Sequence, residues 1–114
     1  MTSLAAFDAF CQSLPAAQFV VQWGGAHVHK VGGKVFAIGN LSHEGFVFKT
    51  TPFAYAALRE QELGARAPYL PRGNWIKVTP EALAVAELFS YLEDSHRLVA
   101  ASLTRAVRRG IGLD

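Results

Sequence analysis

The sequence predicts an α+β domain in which an antiparallel meander packs against helices. Two β-rich runs, Val28-His29-Lys30-Val31 and Lys34-Val35-Phe36-Ala37-Ile38, flank Gly32-Gly33. A Gly-Gly pair in that setting signals a two-residue hairpin, because both turn positions tolerate positive φ. A third run, Gly45 to Thr50, follows closely enough to extend the hairpin into a meander. Further apolar residues recur at helical spacing behind capping residues, and the larger helices must bury those faces against the sheet.

Taken in order, Thr2 or Ser3 caps a first helix whose Leu4, Phe7, Phe10, Cys11 and Leu14 share one face, and Pro15 ends it. Phe19 to Trp23 is a short β-like run, broken by Gly24-Gly25. Pairing outward from the hairpin turn sets Val31 opposite Lys34, Lys30 opposite Val35, His29 opposite Phe36 and Val28 opposite Ala37. Thr51 caps and Pro52 opens a second helix that runs to Leu63 and stops at Gly64. Residues 65–74 read as an irregular link punctuated by Pro68, Pro71 and Gly73. Trp75-Ile76-Lys77-Val78 alternates as a further strand. Thr79-Pro80 opens a helix with Leu83, Leu88, Phe89 and Leu92 on its apolar face. Ser95 caps a last helix, with Leu98, Val99, Leu103 and Ala106 inward and Arg97, Arg105 and Arg108 outward.

Composition bounds the function. The 114 residues make one domain, 1–114, with enough chain for a core that needs no staples. Hydrophobic content of 51% and charged content of 18% describe a globular chain. The single cysteine excludes an internal disulfide, and its place on an apolar stripe makes Cys11 a buried small hydrophobe. No signal peptide is expected, since the first residues carry Asp8 and lack a basic start. No apolar run approaches the ~20 residues of a membrane helix. A soluble, cytoplasmic protein without membrane contact is expected.

The net charge of +2 is unevenly spread. Lys30, Lys34 and Lys49 face only Glu44 across residues 18–50, and residues 95–109 carry Arg97, Arg105, Arg108 and Arg109 with no acid. Sheet and last helix are basic, the middle acidic. His27 and His29 share a strand face, and His43 could join them. That set lacks a firm fourth ligand or any Cys or Asp nearby in sequence, so no metal is assigned. Gly32-Gly33-Lys34 lacks the spacing and the Ser/Thr of a phosphate loop. No Ser-His-Asp or paired-carboxylate arrangement occurs, so no catalytic residue, cofactor or enzyme activity is expected.

Several segments in order resemble the MmcQ/YjbR family of small bacterial proteins over nearly the whole chain. They are Cys11…Leu14-Pro15, Trp23-Gly24, Val31-Gly32-Gly33-Lys34-Val35-Phe36-Ala37, Phe48-Lys49…Pro52, Ala67-Pro68-Tyr69-Leu70 with Trp75, and Ser95-His96-Arg97-Leu98-Val99. Family members usually carry an aromatic residue at the position of His29 and a tyrosine at that of His96. The resemblance implies a two-layer α+β fold, similar to a "double wing" module that lays a saddle-shaped sheet on DNA. It implies no catalytic residues.

Strand alternation checks that implication independently. It puts Val31, His29, Phe36 and Ile38 on one hairpin face and Val28, Lys30, Val35 and Ala37 on the other. Phe46 and Phe48 oppose Val47 and Lys49, and Ile76 and Val78 oppose Trp75 and Lys77. With the bulkier apolar set against the helices, Lys30, Lys49, Lys77 and an exposed Trp75 remain on the open face. Together with Lys34 at the hairpin tip they form the expected nucleic-acid-binding set, lysines for phosphates and the indole for stacking. DNA is the expected partner. A protein-interaction or adaptor domain using the same sheet or its edge is the alternative. Inward-facing His29 is expected to be buried, neutral and hydrogen-bonded.

Overall fold

The computed structural model describes residues 1–70 and 72–113. Its elements are α1 (Leu4–Ser13), β1 (Ala17–Gln22), β2 (Ala26–Val31), β3 (Lys34–Gly39), β4 (Phe46–Lys49), α2 (Pro52–Glu60), β5 (Ala65–Arg66), β6 (Trp75–Val78), α3 (Val85–Ala101) and α4 (Arg105–Gly110). All strand pairings are antiparallel, in the order β1-β2-β3-β4-β6-β5. The α+β architecture and the meander agree with the sequence reading.

Local chemistry explains most element ends. Ser3 Oγ accepts from Ala6 N at 3.0 Å, and Thr51 Oγ1 accepts from Ala54 N at 3.2 Å ahead of Pro52. Gly32 and Gly33, at φ +58° and +81°, turn β2 into β3. One side of the sheet buries Phe36, Phe46, Phe48, Ile76 and Val78 against Phe7 and Cys11 of α1 and Leu88, Leu92 and Val99 of α3. On the other side Ala26, Val28, Ile38 and Val47 form a smaller cluster, closed over by Leu41 and Ala67 from two loops.

Several expectations need correction. A β-bulge changes the hairpin register: Val31 and Lys30 pair with Lys34 and Val35 as expected, but His29 pairs with Ala37 and Val28 with Ile38. Phe36 is the extra residue, and a one-residue shift moves every later side chain to the opposite face. Ala37 therefore joins the helix-side core and Ile38 the loop-side cluster. Ser95 does not cap a helix. It lies fully buried inside α3, and the short α4 is capped instead by Thr104. Ala106 of α4 is exposed rather than inward. Thr79-Pro80 opens a turn, and α3 begins at Val85 behind Ala84 with no side-chain cap. Within the expected link, Ala65–Arg66 pairs with β6 as an added edge strand; Pro71 lies outside the described residues. Among the described residues, no helix is long and apolar enough to cross a membrane.

Candidate nucleic-acid interface

The strands decide where the predicted basic residues go. Lys30 follows Val28 by two on β2, Lys49 follows Val47 by two on β4, and Trp75 and Lys77 alternate with Ile76 and Val78 on β6. All four share the loop-bearing face. Lys30 pairs with Val35, and Lys49 pairs with Trp75. With strands spaced by about 4.8 Å, Lys30 and Lys49 are roughly 10 Å apart at their roots. A Cβ on Gly73 would sit 3.5 Å from the Trp75 indole and 3.9 Å from Lys49 Cε, so the lysine stem and the indole flank one point of backbone.

The other two lysines have different surroundings. Lys77 Nζ donates to the carbonyls of Leu41 at 2.8 Å and His43 at 3.0 Å, and burial lowers its pKa. Its ammonium clamps the β3–β4 loop over the apolar cluster. Lys34 pairs with Val31 of the helix-side core, and its Nζ reaches Ser102 Oγ at 3.4 Å at the end of α3. It stands apart from the row of Lys30, Lys49 and Trp75. Trp75 itself is half-buried, packed against the loop-side cluster, and not the exposed indole expected. The exposed indole is Trp23, at 58%.

On the helix side, the two strand histidines meet a carboxylate that sequence distance hid. Asp8 of α1 accepts from His27 Nδ1 and from His29 Nε2, one on each oxygen, both at 2.7 Å. His29 is fully buried, with its ring stacked on Phe19 at 4.9 Å and edge-on to Phe7 at 5.3 Å. Burial lowers its pKa, outweighing the opposing pull of Asp8. Its Nδ1 has no partner among the described residues, so a second proton there would be buried without an acceptor. His29 is therefore a neutral core residue, as expected. Asp8 sits beside Phe7 on the edge of the first helix's apolar stripe; a lone acid there was the signal that a core-facing donor awaits it. Among the described residues, no three His, Cys, Asp or Glu side chains gather as metal ligands.

Other chemically able groups are held in place by the fold. Cys11 is buried, and desolvation, with Asp8 adding to it, pushes its pKa far above the thiol range. His96 Nε2 hydrogen-bonds the Pro15 carbonyl at 2.8 Å, and its ring meets Phe36 edge-on at 5.1 Å, tying α3 to the end of α1. Ser95 Oγ donates to Phe36 O at 2.6 Å and accepts from Lys49 N at 2.9 Å. The hydroxyl thus fills the gap in the β3–β4 ladder beside the bulge. Arg97 forms ion pairs with Glu93 and Asp94.

The family model described as YjbR matches residues 12–98. The chain belongs to the MmcQ/YjbR family. The crystal structure of Deinococcus radiodurans protein DR2400, described with the domain DUF419, superposes on this YjbR domain with a TM-score of 0.87. It is 22% identical, and the alignment covers 100% of this chain and 91% of that one, which establishes a shared fold. No curated protein matches the chain.

Proposed function

We propose that this YjbR domain binds nucleic acid, with DNA as partner, on the loop-bearing face of its sheet. Lys30 and Lys49 contact phosphates, and Trp75 lies between them and the β5 edge as an apolar platform. One observation carries the proposal. Among the described residues, no strand contains an acidic residue, whereas the strands hold Lys30, Lys34, Lys49, Arg66 and Lys77. With a cation on each strand from β2 to β6 and no strand acid to oppose them, those strands attract a polyanion. Lys77 is assigned to holding the β3–β4 loop, and Lys34 to the hairpin tip outside the row. The proposal gives the domain no catalytic step and no cofactor.

Fluorescence anisotropy with labelled DNA across a salt series tests this. Each neutralised phosphate adds about 0.9 to the slope of log affinity against log salt, so Lys30→Ala with Lys49→Ala should lower the slope by up to about 1.8. Lys77→Ala should act mainly on stability. Absence of salt-sensitive binding by the wild-type protein would remove the proposal.

A specific feature favours one second reading, a protein-interaction domain. Edge strand β1 reads Ala-Gln-Phe-Val-Val-Gln, without charge or proline, and leaves Phe19, Val20 and Val21 39%, 38% and 53% exposed. Edges of this kind accept an added strand unless guarded. Replacing Val20 by Lys should abolish such association and leave DNA binding intact.

A further inference from the structure

Beside the lysine row, on the same face, lies a concave site of about 530 Å³ lined by Trp23, Ile38, Leu41, Ser42, Tyr69 and Leu70. Its floor is apolar: Ile38 and Leu41 are 1% and 6% exposed. Its walls are two aromatic residues left bare, Trp23 at 58% and Tyr69 at 79%. Three lining residues hold left-handed backbone, Trp23 at φ 52°, Ser42 at 67° and Tyr69 at 64°. Bulky L-residues seldom adopt that conformation, and it persists where surrounding structure fixes it, often at ligand clamps. Two aromatics held this way, on the β1–β2 turn and on the segment before β6, are presented to solvent and not folded onto the core. The volume and the mainly apolar lining, with Ser42 and Tyr69 as its hydroxyl-bearing residues, match a small-ligand pocket.

We infer that this pocket takes one unpaired nucleobase of a single strand, its ring against the Trp23 and Tyr69 walls, with the adjoining phosphates on the lysine row. The inference rests on the proposed nucleic-acid binding and deepens it. Charge chooses a base over an apolar peptide side chain. The pocket has no acidic lining residue, Lys77 Nζ is held by the carbonyls of the floor residue Leu41 and of His43, and Lys30 and Lys49 continue the same face. Aromatic platforms beside cations bind single strands because every base has a π-face.

The test compares a labelled single-stranded oligonucleotide with an abasic oligonucleotide of equal length and charge, at fixed salt. Adenosine is titrated in parallel against the indole N–H signals, with Trp75→Phe assigning that of Trp23. The base-bearing strand should bind more tightly than the abasic one by about 5- to 150-fold, the range one base–aromatic contact supplies. Trp23→Ala or Tyr69→Ala should erase the difference with the salt slope unchanged, and Trp23→Phe should keep most of it. Retained thermal unfolding of each variant shows that the fold is intact. Equal, salt-sensitive binding of both strands overturns the pocket inference and leaves the DNA proposal standing. If neither strand binds, the duplex salt series decides the DNA proposal. Adenosine then decides the pocket: a saturable shift of Trp23 alone keeps base binding, and an unmoved Trp23 ends it.

Discussion

Removing the Asp8 carboxylate should destabilise the domain mainly through His29. In the native state Asp8 holds two imidazole N–H groups at 2.7 Å each, but the two bonds are unequal. The His29 side chain is fully buried, whereas His27 is 26% exposed. Asp8→Ala leaves the buried His29 Nε2–H without its acceptor, a loss of about 1–3 kcal/mol for a buried group. The His27 bond adds less, about 0.5–1 kcal/mol, because water can replace it. The single substitution should therefore cost about 2–3 kcal/mol. His29→Phe keeps a ring between Phe7 and Phe19 and removes the orphaned donor. In that background Asp8→Ala should cost only about 0.5–1 kcal/mol, giving a coupling energy of about 1.5–2 kcal/mol. Urea unfolding followed by circular dichroism at pH 7.5 measures the four corners of the cycle, with equal m-values as the two-state check. A coupling energy below about 0.5 kcal/mol would refute the assignment, since sites that do not interact add within that margin.

The same cluster predicts a pH dependence. Burial lowers the His29 pKa in the folded chain below its ordinary 6.5, with Asp8 and His27 as the charged or titratable groups facing it. The unfolded chain therefore binds the extra proton first: stability is full above pH 6.5 and falls below it, by up to about 1.4 kcal/mol per pH unit. Urea midpoints between pH 7.5 and 5 should show this loss, reduced in His29→Phe; equal slopes in both proteins would contradict it. At the hairpin tip, both glycines have positive φ, but a Cβ on Gly32 would meet Leu103 Cδ1 at 2.6 Å whereas one on Gly33 meets nothing. Gly33→Ala should cost about 1 kcal/mol and Gly32→Ala clearly more, and equal melting shifts would show that the Leu103 contact is immaterial. Ser95→Ala strands Phe36 O and Lys49 N and should cost about 2–4 kcal/mol in urea unfolding; a loss below 1 kcal/mol would mean that water or a relaxed ladder replaces the hydroxyl.

What was legible in the sequence was local. The Gly-Gly turn, the Thr51-Pro52 opening and the alternation in Trp75–Val78 act over a few residues, and each element lies where its own chemistry puts it. What was not legible depended on contacts made at long range. Ser95 looks like a helix cap because serine hydroxyls compete for backbone groups. In the fold that hydroxyl is taken by Phe36 and Lys49, and α3 runs on without a break. Asp8 lies 19 and 21 residues from its two histidines, so no local pattern joins them. In the sequence Trp23 simply ends a β-like run, and only its exposure and its left-handed backbone mark it as a wall.

The bulge at Phe36 links these pieces. Had β3 continued in plain alternation with β2, Ile38 would face α1 and α3, and the small Ala37 would face the loops. The extra residue reverses this. Ala37 goes beneath the helices, and Ile38 becomes the floor between Trp23 and Tyr69. A bulge costs a ladder position, and the Ser95 hydroxyl supplies the missing partners from the helix layer. The residue that keeps the bulge in place on one side of the sheet therefore shapes the apolar floor on the other. In the NMR titration, Ser95→Ala should thus disturb Ile38 and the Trp23 indole as well as α3, although neither touches Ser95.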